Sequence, residues 1–293
     1  MQQQPSGFTA HGLVRDVYTP ESLYAATPRP TTQLLIVVIS EADDPAQRAL
    51  IRSHWGARRH RRRSTEIVFL VGLSDGNRTD LRTEQRRFKD LVLTSVVEDY
   101  YNLSLKTAAM FLFAQAHYPA AKCVLKVDSD NVLNVSNVED LCDSFGDDEE
   151  LITGHCEDKT PVIREWSSKW RIPRFVYPAA EFPLYCFGEA YLFVGRQVPR
   201  KLLAQLDAYG FQRSANARKM PEDVIFSGLL AEKAGIERRL TDGFALQRKE
   251  ARFGCLGGRP RAFSFHLVGE AENFEKAENL MSAANHFDCS HIS

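Results

Sequence analysis

No stretch of this 293-residue chain approaches the run of about 18 apolar residues that a membrane-spanning helix needs. The opening, Met1 to Ser6, is polar and lacks the charged-then-apolar layout of a signal peptide. Read as written, the chain is expected to have no anchor and no route into the secretory pathway. It also lacks any C-x-x-C pair among its 6 cysteines, which argues against a structural zinc site. Cys123, Cys142, Cys156, Cys186, Cys255 and Cys289 are scattered, and either buried thiols or up to three disulfides fit them. Excess charge is missing too. A formal net charge of -1 argues against a general nucleic-acid binder, and no internal repeat points to a solenoid.

What is present is an ordinary globular composition, 44% hydrophobic and 26% charged, long enough to bury a sizeable core. Residues 1–32 are rich in Gln, Pro, Thr and Ala without periodicity and read as a flexible stem or lead-in; residues 33–293 form the folded domain. Residues 33–39 are a continuous apolar run of the kind expected in a central parallel strand. Asp44 then caps a helix with Pro45 at its first position, carrying Arg48, Ile51, Arg52 and Trp55. The basic run Arg58 to Arg63 reads as a solvated loop, with a nucleic-acid patch as the minor alternative. A second strand at 66–72, a turn at Ser74 to Asn77, a helix at 80–89 and a third strand at 91–97 follow. Asn102 is the expected cap of a helix from Leu103 to His117, after which the chain enters a fourth strand. This alternation predicts an α/β fold built on a doubly wound, mainly parallel sheet flanked by helices.

That fourth strand, Val124 to Asn131, ends in Asp128 and Asp130. Residues two apart in an extended segment share a side, so both carboxylates face one space at the carboxyl end of the sheet, where such folds bind ligands. Hard cations such as Mn²⁺ or Mg²⁺ suit these oxygens and bridge to phosphates. A solvated turn is the bland alternative for so short a motif. The second half has helical patterns at 138–145 and 199–209 around an irregular, aromatic-rich stretch. There Trp166, Trp170, Tyr177, Phe182, Tyr185 and Tyr191 are either a wall for a sugar or simply core. Pro221-Glu222-Asp223-Val224 starts a helix, and its acids either complement the helix dipole or supply a general base. Asn77, Asn102 and Asn134 head formal N-glycosylation sequons.

Taken together, these blocks resemble the β-1,3-glycosyltransferase family of β-1,3-galactosyl- and β-1,3-N-acetylglucosaminyltransferases. The segments that carry the resemblance are Arg48, Ile51-Arg52 and Trp55-Gly56, then Phe69 to Gly72, then Glu98 to Thr107, then Lys126 to Asp130. Lys169-Trp170, Phe182 to Tyr191, Glu222-Asp223-Val224 and His266 continue it in the same order. His54 and Phe182 depart from the family pattern, and Gly228 falls one residue later than in many members.

The resemblance implies a GT-A-like fold with an irregular acceptor-side half, a UDP-sugar donor and Mn²⁺, with Mg²⁺ as the other suitable cation. Asp130, Asp128 and His266 are the implied metal ligands, and Arg48, Arg52, Lys106, Asp128 and Ser129 the candidates for holding the donor. Trp170, Tyr185, Gly188 and Tyr191 are candidates for the sugar pocket, with Asp223 as base and Glu222 in reserve. The expected reaction inverts a hexose or N-acetylhexosamine, galactose favoured, onto a sugar hydroxyl of a glycan on protein or lipid. A metal-dependent nucleotide-sugar hydrolase and a non-catalytic carbohydrate-binding relative are the alternatives. The family implies the lumenal side of the Golgi membrane, reached through an anchor absent from this chain, and nothing in the residues sets an oligomeric state.

Overall fold

Residues Leu34–Ile39 contain no polar side chain, and such a strand is stable only when both of its faces are covered. In the computed structural model, which describes residues 29–57, 61–73, 78–209, 219–246, 252–267, 273–283 and 289, this strand (β1) lies within a seven-stranded sheet. Its partners are β2 (Thr65–Leu73), β3 (Leu91–Val97), β4 (Cys123–Asp128), β6 (Leu151–Glu157), β7 (Tyr185–Val194) and β8 (Glu237–Leu240). The order is β3-β2-β1-β4-β7-β6-β8. β7 alone runs against its neighbours β4 and β6; the other pairs are parallel. A short β5 (Asn131–Leu133) pairs antiparallel with β11 (Ser264–His266), and β9 (Gly254–Leu256) forms a ribbon with β10 (Arg259–Arg261).

Alternate residues of β1 point to opposite faces, and each face has its own core. Leu35 and Val37 pack with Phe111 and Phe113 of α3 (Leu103–His117) and Leu202 of α5 (Val198–Tyr209). Ile36 and Val38 pack with Ile51 of α1 (Pro45–Ser53), Val138 of α4 (Val135–Ser144) and Ala277 of α7 (Asn273–Ala283). α2 (Arg78–Phe88) covers the β2–β3 end, and α6 (Ala231–Ala234) continues a π-helical segment, Val224–Leu230. Asp44 caps α1 as expected, accepting from the Gln47 N–H at 3.0 Å. Asn102 does not cap α3 with its side chain. Asp99 instead caps a short 3₁₀ turn by accepting from the Tyr101 N–H at 2.7 Å, while the Asn102 amide donates to the Val97 carbonyl at 3.0 Å. That buried nitrogen leaves little room for a glycan at the Asn102 sequon. α4 starts a turn earlier than expected, because Asn134 accepts from the Asn137 N–H at 3.1 Å.

All six cysteines are paired, as Cys123–Cys142, Cys156–Cys186 and Cys255–Cys289. The basic run lies partly outside the described residues, but Arg62 is bound to Asp140 and Asp143 on α4 and to Glu139 at 3.5 Å, so its charge is used internally. The turn at Ser74 to Asn77, with the Asn77 sequon, and residues 1–28 of the expected stem lie outside the described residues. Among the described residues no helix is long and apolar enough to cross a membrane.

Candidate active site

β4 stops at Asp128 because the chain turns there: the Ser129 N–H reaches the Ile39 carbonyl at 3.2 Å, and the Gln47 amide donates to the Ser129 carbonyl at 2.7 Å. β5 then leaves the turn, and its pairing with β11 sets His266 opposite Asn131. The His266 Nε2 comes within 3.3 Å of Asp130 Oδ2, and its Nδ1 lies 3.7 Å from Glu189 on β7. The hydrogen bond to Asp130 leads the effects that hold the His266 imidazole above its ordinary pKa, against burial. These residues form one wall of a cleft of about 490 Å³ at the carboxyl edge of β4.

The rest of the cleft is built around two adjacent acids and a buried lysine. Glu222 is buried; its Oε1 accepts from the Thr107 hydroxyl at 2.9 Å and from the Tyr191 hydroxyl. Asp223 opens on the cleft, and its oxygens accept the N–H groups of Gly188 at 2.9 Å and Val224 at 2.8 Å. Lys126, wholly buried in β4, donates to Asp128 Oδ1 at 2.7 Å and to the Gly188 carbonyl, with Glu222 at 3.5 Å. Burial alone would lower the Lys126 pKa, but Asp128, Glu222 and Asp223 outweigh it and keep the ammonium charged. Burial pushes Asp128 up to about 6, with Lys126 opposing and Asp130 and Glu222 adding. Burial and then the Glu222 charge push Asp223 up to about 7, against the two backbone donors and Lys126. Asp223 is therefore poised near neutrality, where a general base works best.

The π-helical turn places this pair. Its wider backbone lets the Ser227 hydroxyl bond at once to the Asp223 carbonyl at 2.7 Å and to the backbone of Cys186 in β7 at 2.9 Å, so Asp223 is pinned beside Gly188. A Cβ on Gly188 would sit 3.3 Å from Asp223 Oδ2, so any side chain there presses on that carboxylate. Trp170, Tyr185 and Gly188 line the cleft with Phe182 and Phe187.

Other expected site residues are placed elsewhere. Tyr191 is wholly buried in β7 and supports Glu222 rather than lining the pocket. Arg48 is buried on α1, bound to Glu84, the Ser40 hydroxyl and the Glu41 and Ala42 carbonyls. Arg52 is held by Glu84 and Asp90 and lies over the rings of Phe69 and Phe88. Lys106 is buried against Glu98 and the Ser40 carbonyl, and burial lowers its pKa. None of these cations is in the cleft lining, and Ser129 contributes only backbone contacts at the turn. Among the aromatics, Trp166 and Tyr177 also fall outside the cleft lining.

Sequence reasoning missed Tyr100, Tyr101, Glu189 and the structural weight of Lys126. The lysine left a signal, a cation inside an otherwise apolar strand, which is rare without a buried partner. Tyr100 and Tyr101 entered the sequence reading only within the Glu98 to Thr107 block, with no role of their own. Burial, then the charge of Asp223, raises the Tyr100 pKa.

Among the described residues no three His, Cys, Asp or Glu side chains form a ready-made metal cluster. The donor set offered is Asp130 and His266, one oxygen and one nitrogen, with Asp128 engaged by Lys126. That pair fits a hard or borderline divalent ion that completes its shell with phosphate oxygens and water.

A family model described as galactosyltransferase matches residues 46–242. Lactosylceramide 1,3-N-acetyl-beta-D-glucosaminyltransferase B of Xenopus laevis is 26% identical over 245 residues, covering 80% of this chain and 63% of that protein. Beta-1,3-galactosyltransferase 5 of Gorilla gorilla gorilla is 30% identical over 206 residues, 69% of this chain and 66% of that protein. The matched stretch thus spans less than two thirds of either relative. A crystal structure of the galactosyltransferase LgtC with donor and acceptor sugar analogues aligns over 85% of this chain and 96% of its own, with 13% identity and a TM-score of 0.43. With the family model covering most of the folded domain, the chain belongs to the galactosyltransferase family.

Proposed function

We propose that the chain is an inverting glycosyltransferase that moves a hexose or N-acetylhexosamine, galactose favoured, from a UDP-sugar to a glycan hydroxyl and forms a β-1,3 linkage. One observation carries this reading. A single cleft gathers Asp130 and His266 together with an Asp223 poised near neutrality. Sugar transfer needs both, because one group must stabilise the leaving diphosphate while another takes the proton of the attacking hydroxyl. Asp223 takes the proton of the acceptor hydroxyl as its oxygen bonds to that carbon, and UDP departs with the bonding pair. One displacement inverts the centre, so an α-linked donor gives a β-linked product, by the logic of inverting glycosidases.

Asp130 and His266 would hold Mn²⁺, which when bound supplies Lewis-acid stabilisation of the leaving diphosphate. Lys126 fixes Asp128 beneath that site, and Glu222, locked by Thr107 and Tyr191, raises the basicity of Asp223. Trp170 and Tyr185 offer apolar surface to a sugar ring. The named activities of the two relatives support the choice of donors. Three disulfides suit an oxidising compartment, which supports action in the Golgi lumen on a glycoprotein or glycolipid.

The test is a screen of UDP-galactose, UDP-N-acetylglucosamine and UDP-N-acetylgalactosamine with Mn²⁺, with and without simple sugar acceptors. A β-1,3 product identified by NMR is the expected result. UDP release that ignores the acceptor would make the chain a nucleotide-sugar hydrolase, and folded protein without any turnover would make it a binding relative. An α-linked product would overturn the single displacement.

A further inference from the structure

The side chains of Asp130 and His266 meet on a backbone that is fixed from both sides. The Leu267 N–H donates to the Asp130 carbonyl at 2.8 Å, the Trp55 indole donates to the Asn131 carbonyl at 3.1 Å, and His266 pairs with Asn131 in the β5–β11 ladder. Each of the two side chains also has a polar group behind it. Asn131, wholly buried, turns its amide nitrogen back to Asp130 Oδ1 at 3.1 Å, while Oδ2 faces His266 Nε2 at 3.3 Å. Glu189 Oε1 lies 3.7 Å from His266 Nδ1. The two nitrogens of an imidazole point away from each other, so Glu189 backs the ring on the side away from Asp130.

Local structure does not account for the Asn131 side chain. Its oxygen is buried without a hydrogen-bond partner among the described residues, and a buried orphan acceptor costs free energy that an apolar side chain would avoid. Turning the amide over gives no relief, since the oxygen would then face the Asp130 carboxylate and the Asp128 carbonyl. The amide is useful there for one directed end, the N–H toward Asp130.

We propose that Asn131 and Glu189 are positioning residues that set Asp130 and His266 for a divalent cation. Asn131 holds Asp130 by Oδ1 and leaves Oδ2 to the ion. Glu189 takes the Nδ1–H of His266, which fixes the tautomer that keeps the Nε2 lone pair free; the 3.7 Å contact tightens to a hydrogen bond as it does so. The proposal rests on the reading of Asp130 and His266 as metal ligands and adds the groups that aim them. Partners of this kind orient a ligand without touching the metal, and losing one lowers metal affinity about 10- to 100-fold.

The experiment is calorimetric titration of the full chain with Mn²⁺ alone, without donor or turnover, alongside thermal melts. Asn131→Leu keeps the branching of the side chain and removes both polar ends, and Asn131→Ala guards against overpacking. Both are expected to bind Mn²⁺ about 10- to 100-fold more weakly per folded molecule. A merely structural asparagine would instead cost melting temperature and leave that affinity unchanged. Glu189 lines the open cleft, so its variants keep the fold. Glu189→Ala should lose affinity by a similar factor, and Glu189→Gln, whose carbonyl still accepts the Nδ1–H, should restore part of it. Equal losses in those two variants would make Glu189 only a nearby charge and overturn its role. Asp130→Asn separates the proposal from the reading beneath it. Wild-type affinity in that variant removes the metal reading and the proposal with it. A loss there, beside wild-type affinity in the Asn131 and Glu189 variants, overturns the positioning proposal alone.

Discussion

Asp223 sits where a carboxylate is costly to ionise, and that cost is what sets its use. As a base it acts only when deprotonated, so kcat/KM should rise with pH through about 7 and fall away on the acid side. Initial rates across that range check this, and an acid limb centred near the ordinary value of 3.8 would remove Asp223 as the base. Asp223→Asn should lower kcat by roughly 10²- to 10⁴-fold while UDP binding by calorimetry stays near wild type. The stability sign runs the other way. A carboxyl whose folded pKa is raised stabilises the fold fully below 3.8, and that contribution is lost as pH rises through about 7. The Asn variant should therefore gain melting temperature relative to wild type as pH is raised across this interval. In the same cleft, Asp130→Asn removes the anionic donor beside His266 and should weaken Mn²⁺ binding in a titration. Unchanged affinity would move the metal site elsewhere.

At the scale of elements, the cleft depends on how strand ends are set against helix starts. Gly72 lies in β2 where the register with β3 shifts between Val71 and Leu73, and its N–H donates to Glu98 Oε1 at 2.6 Å. Glu98 in turn holds Lys106 of α3 at 2.8 Å. A Cβ on Gly72 would stand 2.4 Å from the Val96 carbonyl oxygen, so backbone must shift. Gly72→Ala is expected to destabilise the fold by about 1–3 kcal/mol, read as a lower urea midpoint at an unchanged slope. Most elements were legible beforehand because their apolar spacing is local: β1, α1 and α3 announce themselves by runs, caps and periodicity. The π-helical segment did not. A helix start at Pro221 can be read from residue types, but the wider turn goes with a Ser227 hydroxyl bonded to β7, a partner 41 residues away.

Across the whole molecule, the disulfides tie segments far apart in the chain. Cys123–Cys142 ties β4 to α4 across 19 residues of chain, and closing a loop of that size stabilises by about 3 kcal/mol. Cys142→Ser should lower the melting temperature in non-reducing buffer, and reductant should remove most of the difference from wild type. Equal melting temperatures in non-reducing buffer would show that the tie contributes nothing. Cys156–Cys186 joins paired residues of β6 and β7, and β7 carries Tyr185 to Glu189 of the cleft.

Local chemistry by itself determined the alternating strands and helices, the Asp128–Asp130 pair at a strand end, and Glu222–Asp223 at a helix start. It could do so because side-chain periodicity, capping and short motifs act over a few residues. Only the tertiary structure decided that β7 runs antiparallel, which sets Gly188 and Glu189 beside Asp223 and His266. It also decided that Arg48, Arg52 and Lys106 spend their charges on Glu84, Asp90 and Glu98 outside the cleft. Which acid a cation meets, and how much water each keeps, depends on packing between segments far apart in the chain. The same packing raises the Asp223 pKa, since burial and the neighbouring Glu222 charge arise only once helix and sheet close on each other.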